Sequence, residues 1–114
     1  MNNTKLKKAL EKLPELYSTD GKRGDMPAAY VFTPDAAATW VIWEYSQEEG
    51  MGFGLCDLGM GYPEIGYVSA EELDNLRGKF GLPVEVDTSV KSRFDGYQRA
   101  GVEVPDYLKE KEAH

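Results

Sequence analysis

A chain of 114 residues, 41% of them hydrophobic and including four Phe, seven Tyr and two Trp, has the material for one core and is not a disordered polymer. Its net charge of −7 makes a phosphate backbone a poor partner, and no apolar run reaches the length of about eighteen residues that a membrane span needs. Cys56 is the only cysteine, which rules out an internal disulfide and suits a reducing cytoplasm for a single domain over residues 1–114.

From the amino end, Met1 to Lys8 contains no apolar segment of the kind a secretory signal carries. Thr4 is placed to cap a helix in which Leu6, Leu10 and Leu13 recur at helical spacing, with Lys5, Lys7, Lys8 and Lys12 on the outer face. Pro14 ends it, Leu16 and Tyr17 turn inward, and Ser18 to Pro27 reads as a polar loop. Ala28 to Phe32 is a first strand, closed by a turn at Thr33-Pro34-Asp35.

Thr39 to Tyr45 is the strongest strand signal in the chain. Its alternating sets, Trp40, Ile42, Glu44 and Val41, Trp43, Tyr45, are both largely apolar, which predicts an interior strand covered on both faces. Gln47 to Gly50 turns it into Met51–Asp57, where Gly52 and Gly54 leave space for a bulky neighbour, an indole being the expected one. After a loop at Gly59–Pro63, Glu64 to Val68 is a fourth strand. Ser69-Ala70-Glu71-Glu72 forms a capping box for a helix whose Leu73 and Leu76 face the core, stopped at Arg77-Gly78. Leu82 to Val86 reads as an edge, since Pro83 lacks a ladder donor. Beyond Asp87 the pattern weakens: Val90, Phe94 and Tyr97 predict one or two amphipathic turns, opposed by Gly96, and Pro105 opens a last helix from Asp106 to Glu112. The expected fold is α+β: a curved antiparallel sheet of four or five strands, with the N-terminal helix and the Ser69 helix packed on one face.

Several of these pieces resemble a known family when taken in order. They are Leu13-Pro14-Glu15-Leu16-Tyr17, Phe32-Thr33-Pro34-Asp35, Thr39-Trp40 with Glu44, Phe53-Gly54-Leu55, Glu64-Ile65-Gly66-Tyr67-Val68-Ser69, Glu72-Leu73, Leu76-Arg77-Gly78 and Gly81-Leu82-Pro83-Val84-Glu85. The set is similar to the small bacterial family called Domain of Unknown Function 2958 over about residues 10–88, with 89–114 as a C-terminal extension. The resemblance implies a setting on plasmids, phages or integrated conjugative elements, often near DNA-processing or antirestriction genes. It implies no catalytic residue, because the family has no established activity.

The residues themselves give little for catalysis. Cys56 has no Lys or Arg within twenty residues, and the one histidine is His114, so a strand cysteine is expected and not a nucleophile. Gly52-Phe53-Gly54 and Gly59-Met60-Gly61 match neither dinucleotide nor P-loop spacing. No cofactor or metal is expected. Trp40, Trp43, Tyr45, Tyr62 and Tyr67 lie in an acidic stretch, which favours core packing, with one or two left for a protein interface, over base stacking.

Charge distribution is the more useful signal. Residues 24–76 hold ten acids and no Lys or Arg. That predicts a non-enzymatic protein binding a partner with a basic surface through Glu44, Glu48, Glu49, Asp57, Tyr62 and Glu64. One concrete version, drawn from the resemblance, is a DNA-mimicking inhibitor of a host defence nuclease, of the anti-restriction or anti-CRISPR type. Two alternatives remain: a metal-dependent hydrolase or nuclease using Glu44, Asp57 and Glu64, and a DNA-processing accessory protein that binds through the N-terminal lysines.

Overall fold

A computed structural model describes residues 1–19 and 25–106 of the chain. The expected last helix after its first residue, Asp106, and residues 20–24 of the expected polar loop lie outside the described residues. The element order is α1 (Thr4–Glu11), β1 (Ala29–Phe32), β2 (Thr39–Ser46), β3 (Met51–Asp57), β4 (Glu64–Ser69), α2 (Ala70–Asn75), β5 (Glu85–Val86) and α3 (Arg93–Ala100). The five strands form one antiparallel sheet in the order β4-β3-β2-β1-β5, so the fold is α+β as expected and the Trp-rich strand is central.

Local chemistry accounts for most of the element ends. Asn3, not Thr4, caps α1: its Oδ1 accepts from the Leu6 N–H at 3.1 Å, and Thr4 is already the first helical residue. Ser69 caps α2 as expected, accepting from the Glu72 N–H at 3.2 Å. That helix is shorter than expected, because Leu76 turns extended and is left 36% exposed, away from the core. Asp74, at the far end of α2, fastens the chain start by accepting from the Asn2 and Asn3 N–H groups at 2.9 and 2.7 Å.

The sheet has two dissimilar faces. On one, α1 and α2 bring Leu6, Leu10, Leu13, Ala70 and Leu73 onto Val31, Trp40, Ile42 and Tyr45. On the other, α3 lies across β2, packing Tyr97 and Val90 onto Tyr30, Val41, Trp43 and Leu55. Gly96, which argued against a helix in the sequence, is what lets α3 sit so close. A Cβ there would come within 2.6 Å of Val41 Cγ1. Gly101, in the left-handed region at φ 73°, then ends the helix.

The central strand contains a bulge that changes which residues share a face. Ile42 lies opposite Gly54 and Glu44 opposite Phe53, so Trp43 is the extra residue. Strict alternation would put Glu44 with Trp40 and Ile42, and Tyr45 with Trp43. The bulge exchanges them: Tyr45 joins the α1 face, and Glu44 turns with Trp43 toward α3. The backbones approach most closely opposite the bulge, where a Cβ on Gly54 would sit 2.0 Å from the Val41 carbonyl oxygen. Gly52 accommodates Ile42 Cγ2, not an indole.

Candidate interaction surface

Glu44 is the residue whose position departs furthest from expectation. It was expected on an acidic surface and is 4% exposed, and Arg93 on α3 is fully buried on the same side of the sheet. Buried charge is tolerated only when hydrogen-bonded. The Glu44 carboxylate accepts the Tyr17 N–H on Oε1 at 2.9 Å and the Thr19 N–H on Oε2 at 2.9 Å, together with the Thr19 hydroxyl. Arg93 Nη2 donates to Thr19 Oγ1 at 3.1 Å and to the Trp43 carbonyl at 3.3 Å, with its guanidinium 5.8 Å from the Trp43 ring centre. Thr19 thus links a carboxylate from the sheet to a guanidinium from the helix.

This network fixes the segment after α1. Beyond the bulge β1 no longer pairs with β2, and the Tyr45 N–H there donates to the Pro14 carbonyl at 2.9 Å. Residues 14–19 therefore run along the uncovered side of β2, held by backbone at Pro14 and by Glu44 at Tyr17 and Thr19. Tyr17 adopts φ 67°, a left-handed conformation that costs a bulky residue energy and persists only where the surroundings impose it. Its side chain is 73% exposed and does not turn inward, whereas its neighbour Leu16 does.

The outcome is a row of rings running from the core to the surface. Tyr97 stacks on Trp43 (6.0 Å between centres), Trp43 meets Phe53 edge-on (5.9 Å), Phe53 meets Tyr67 (5.1 Å) and Tyr67 meets Tyr17 (6.4 Å). The Tyr17 and Tyr67 hydroxyls are 2.8 Å apart. The hydrogen bond to Tyr67, followed by burial and by the charges of Tyr67, Glu49 and Glu44, pushes the Tyr17 pKa up, so its phenol stays protonated. Exposure grows along the row because α3 covers only part of this face. Tyr97 and Trp43 are buried, whereas Tyr67 on β4 is 54% exposed and its neighbour on the same face, Ile65, is 48% exposed.

The other predicted surface residues bracket this open area. Glu48 and Glu49 lie exposed in the turn before β3. The Ala70 N–H donates to the Gly50 carbonyl, which brings the exposed Glu71 and Glu72 of α2 to the same end. Asp57, Tyr62 and Glu64 belong to the opposite end: Asp57 faces Thr39 across the sheet, its carboxylate accepts the Gly59 N–H at 2.9 Å, and Glu64 pairs with Cys56. Roughly 17–20 Å of strand separates the two ends. The six predicted residues therefore do not form one patch, and β4 is the element that joins its two halves.

The carboxylates proposed for metal chemistry are not brought together. Glu44 is buried beneath α3, while Asp57 and Glu64 are at the sheet end, and among the described residues no three His, Cys, Asp or Glu side chains converge to hold a metal. Burial, reinforced by Asp57 and Glu64 and only partly offset by a hydrogen bond with Trp40, pushes the Cys56 thiol pKa up, away from the thiolate a nucleophile needs. Lys5, Lys7, Lys8 and Lys12 stand exposed on or just after α1.

A family model described as Protein of unknown function (DUF2958) matches residues 3–99. The chain belongs to this family. The match runs from the α1 cap through nearly all of α3, past the limit near residue 88 expected from the sequence, so Arg93 and Tyr97 lie within the family domain. A search of curated proteins and a search of solved structures each returned no match.

Proposed function

We propose that the chain acts by binding another protein on the part of the sheet that α3 leaves open, with Phe53, Ile65, Tyr67 and Tyr17 as the contact surface. The observation that supports this reading is the half-exposed Tyr67 and Ile65 on an ordered strand, beside a tyrosine held at positive φ by buried Glu44. Rings fixed by packing lose little entropy when a partner covers them, and tyrosine is enriched at interfaces for that reason. Acids at both ends of β4, Glu64 at one and Glu48, Glu49, Glu71 and Glu72 at the other, suit a partner with a basic surface. In a mobile-element setting, a host defence nuclease or its effector complex has that character, and the chain would act as its inhibitor without chemistry of its own.

The test is a comparison of two variants in affinity capture from the host cell. Ile65→Ser with Tyr67→Ser should release the captured partner while the melting temperature stays within a few degrees. Charge reversal of Glu48, Glu49 and Glu64 to Lys should slow association at low salt, an effect that fades once the screening length falls to about 8 Å at physiological ionic strength. A partner retained by both variants contradicts the reading, as does a captured partner with an acidic surface.

A further inference from the structure

β4 is an edge strand whose protection is confined to its Glu64 end, which Pro63 precedes. It contains no proline and no lysine, and its register against β3 runs without a bulge from Met51–Ser69 to Cys56–Glu64. The opposite edge, β5, is only two residues long. The Ala70 N–H to Gly50 carbonyl bond, 2.9 Å, fixes the alternation of the ladder. Glu64, Gly66 and Val68 direct their backbone groups to β3, and Ile65 and Tyr67 direct theirs outward. Among the described residues no backbone group meets that outer side. The residues with outward N–H and C=O groups are also those whose side chains lie on the open face.

We infer that β4 takes up an extended segment of the partner protein as an additional strand. This rests on the reading of the open face as the partner surface and adds how the partner's backbone is held. Outward amides at Ile65 and Tyr67 supply the ladder, and alternate side chains of the incoming segment pack on Ile65 and Tyr67. Lys or Arg at the ends of that segment meets Glu64 on one side and Glu49 and Glu71 on the other. Charge argues against a second copy as the occupant. Antiparallel β4-to-β4 pairing brings Glu64 of each chain toward the acidic end of the other, and residues 24–76 contain no Lys or Arg to offset it.

The experiment is amide hydrogen exchange on the full-length, isotope-labelled protein, alone and with a short peptide of alternating threonine and valine bearing a lysine at each end. Alone and dilute, the Ile65 and Tyr67 amides should exchange quickly, and the Gly66 and Val68 amides slowly. Saturating peptide should slow Ile65 and Tyr67 by about tenfold or more, and the same peptide with a central proline should not. Peptide that shifts the Phe53 and Tyr67 signals but leaves both amides exchanging freely overturns strand addition and leaves the open-face reading standing. Peptide that disturbs none of Phe53, Ile65 and Tyr67 overturns both. Protection that appears without peptide as protein concentration rises assigns the edge to a second copy and overturns the inference.

Discussion

The two faces of the sheet are built on different principles. Under α1 and α2 the layer is closed and almost wholly apolar: leucines at helical spacing meet Trp40, Ile42 and Tyr45, and the one buried acid, Asp74, serves only to tie down the chain start. Under α3 the layer is open on its β3–β4 side and holds a buried carboxylate and guanidinium, with aromatic rings running outward beside Val41, Leu55 and Val90. The closed face has the form of a folding core, whereas the half-open face holds Tyr17 and Tyr67 against one another and leaves both in contact with solvent.

Substitutions sharpen that contrast. The largest effect is expected at the inner end of the aromatic row. Trp43→Ala should cost about 3–5 kcal/mol in chemical denaturation, since it removes the ring on which Tyr97, Phe53 and Arg93 all rest. A loss below about 1 kcal/mol would break the claim that α3 closes its half of the face. Glu44→Leu comes next, at about 1–3 kcal/mol in all, because the Tyr17 and Thr19 donors it strands are only part-buried and can turn partly to water. Its distinguishing readout is faster amide exchange at Tyr17 and Thr19 than in the native chain.

Smaller effects probe the closed side. Ser69→Ala should lose about 0.5–2 kcal/mol by freeing the Glu72 N–H at the start of α2. Hydrogen bonds from the Asn2 and then the Asn3 backbone hold the Asp74 pKa below its ordinary 3.8. A depressed carboxylate contributes fully above its unfolded value and loses that contribution as pH falls toward the folded one, so the tie should weaken only below about pH 3.8. Asp74→Asn should flatten this acid limb of the melting profile, and an unchanged limb would remove Asp74 from the account. The change expected at the outer end of the row is no larger: Tyr67→Ser should cost about 0.5–1.5 kcal/mol, the worth of an edge contact with Phe53 that solvent already half reaches.

The closed face was legible in the sequence because it follows simple periods. Leu6, Leu10 and Leu13 announce α1, Ser69 with Glu72 announces α2, and the two tryptophans mark the central strand. The half-open face was obscured by two backbone irregularities. The bulge at Trp43 reverses the strand's alternation, so Glu44 and Tyr45 were assigned to the wrong sides. Gly96 weakens the helical signal of α3 for the reason that makes α3 fit, its close approach to Val41. With α3 blurred, the buried partner of the Glu44 network could not be named. The one available signal was the oddity of an acid in an otherwise apolar interior strand, which calls for a cation or several donors nearby. Tyr17 was out of reach, since its positive φ arises from long-range bonds to Glu44 and not from its own sequence neighbourhood.

The central claim is that the open half of the sheet, and not the closed side, meets the partner. Photo-crosslinking in the host cell tests it most directly, with a photoreactive phenylalanine placed at Tyr67 on the open half and, separately, at Lys8 on the outside of α1. The account predicts a discrete crosslinked product with one basic protein from position 67 and none from position 8. A product from position 8 alone, or the same product from both positions, would contradict it.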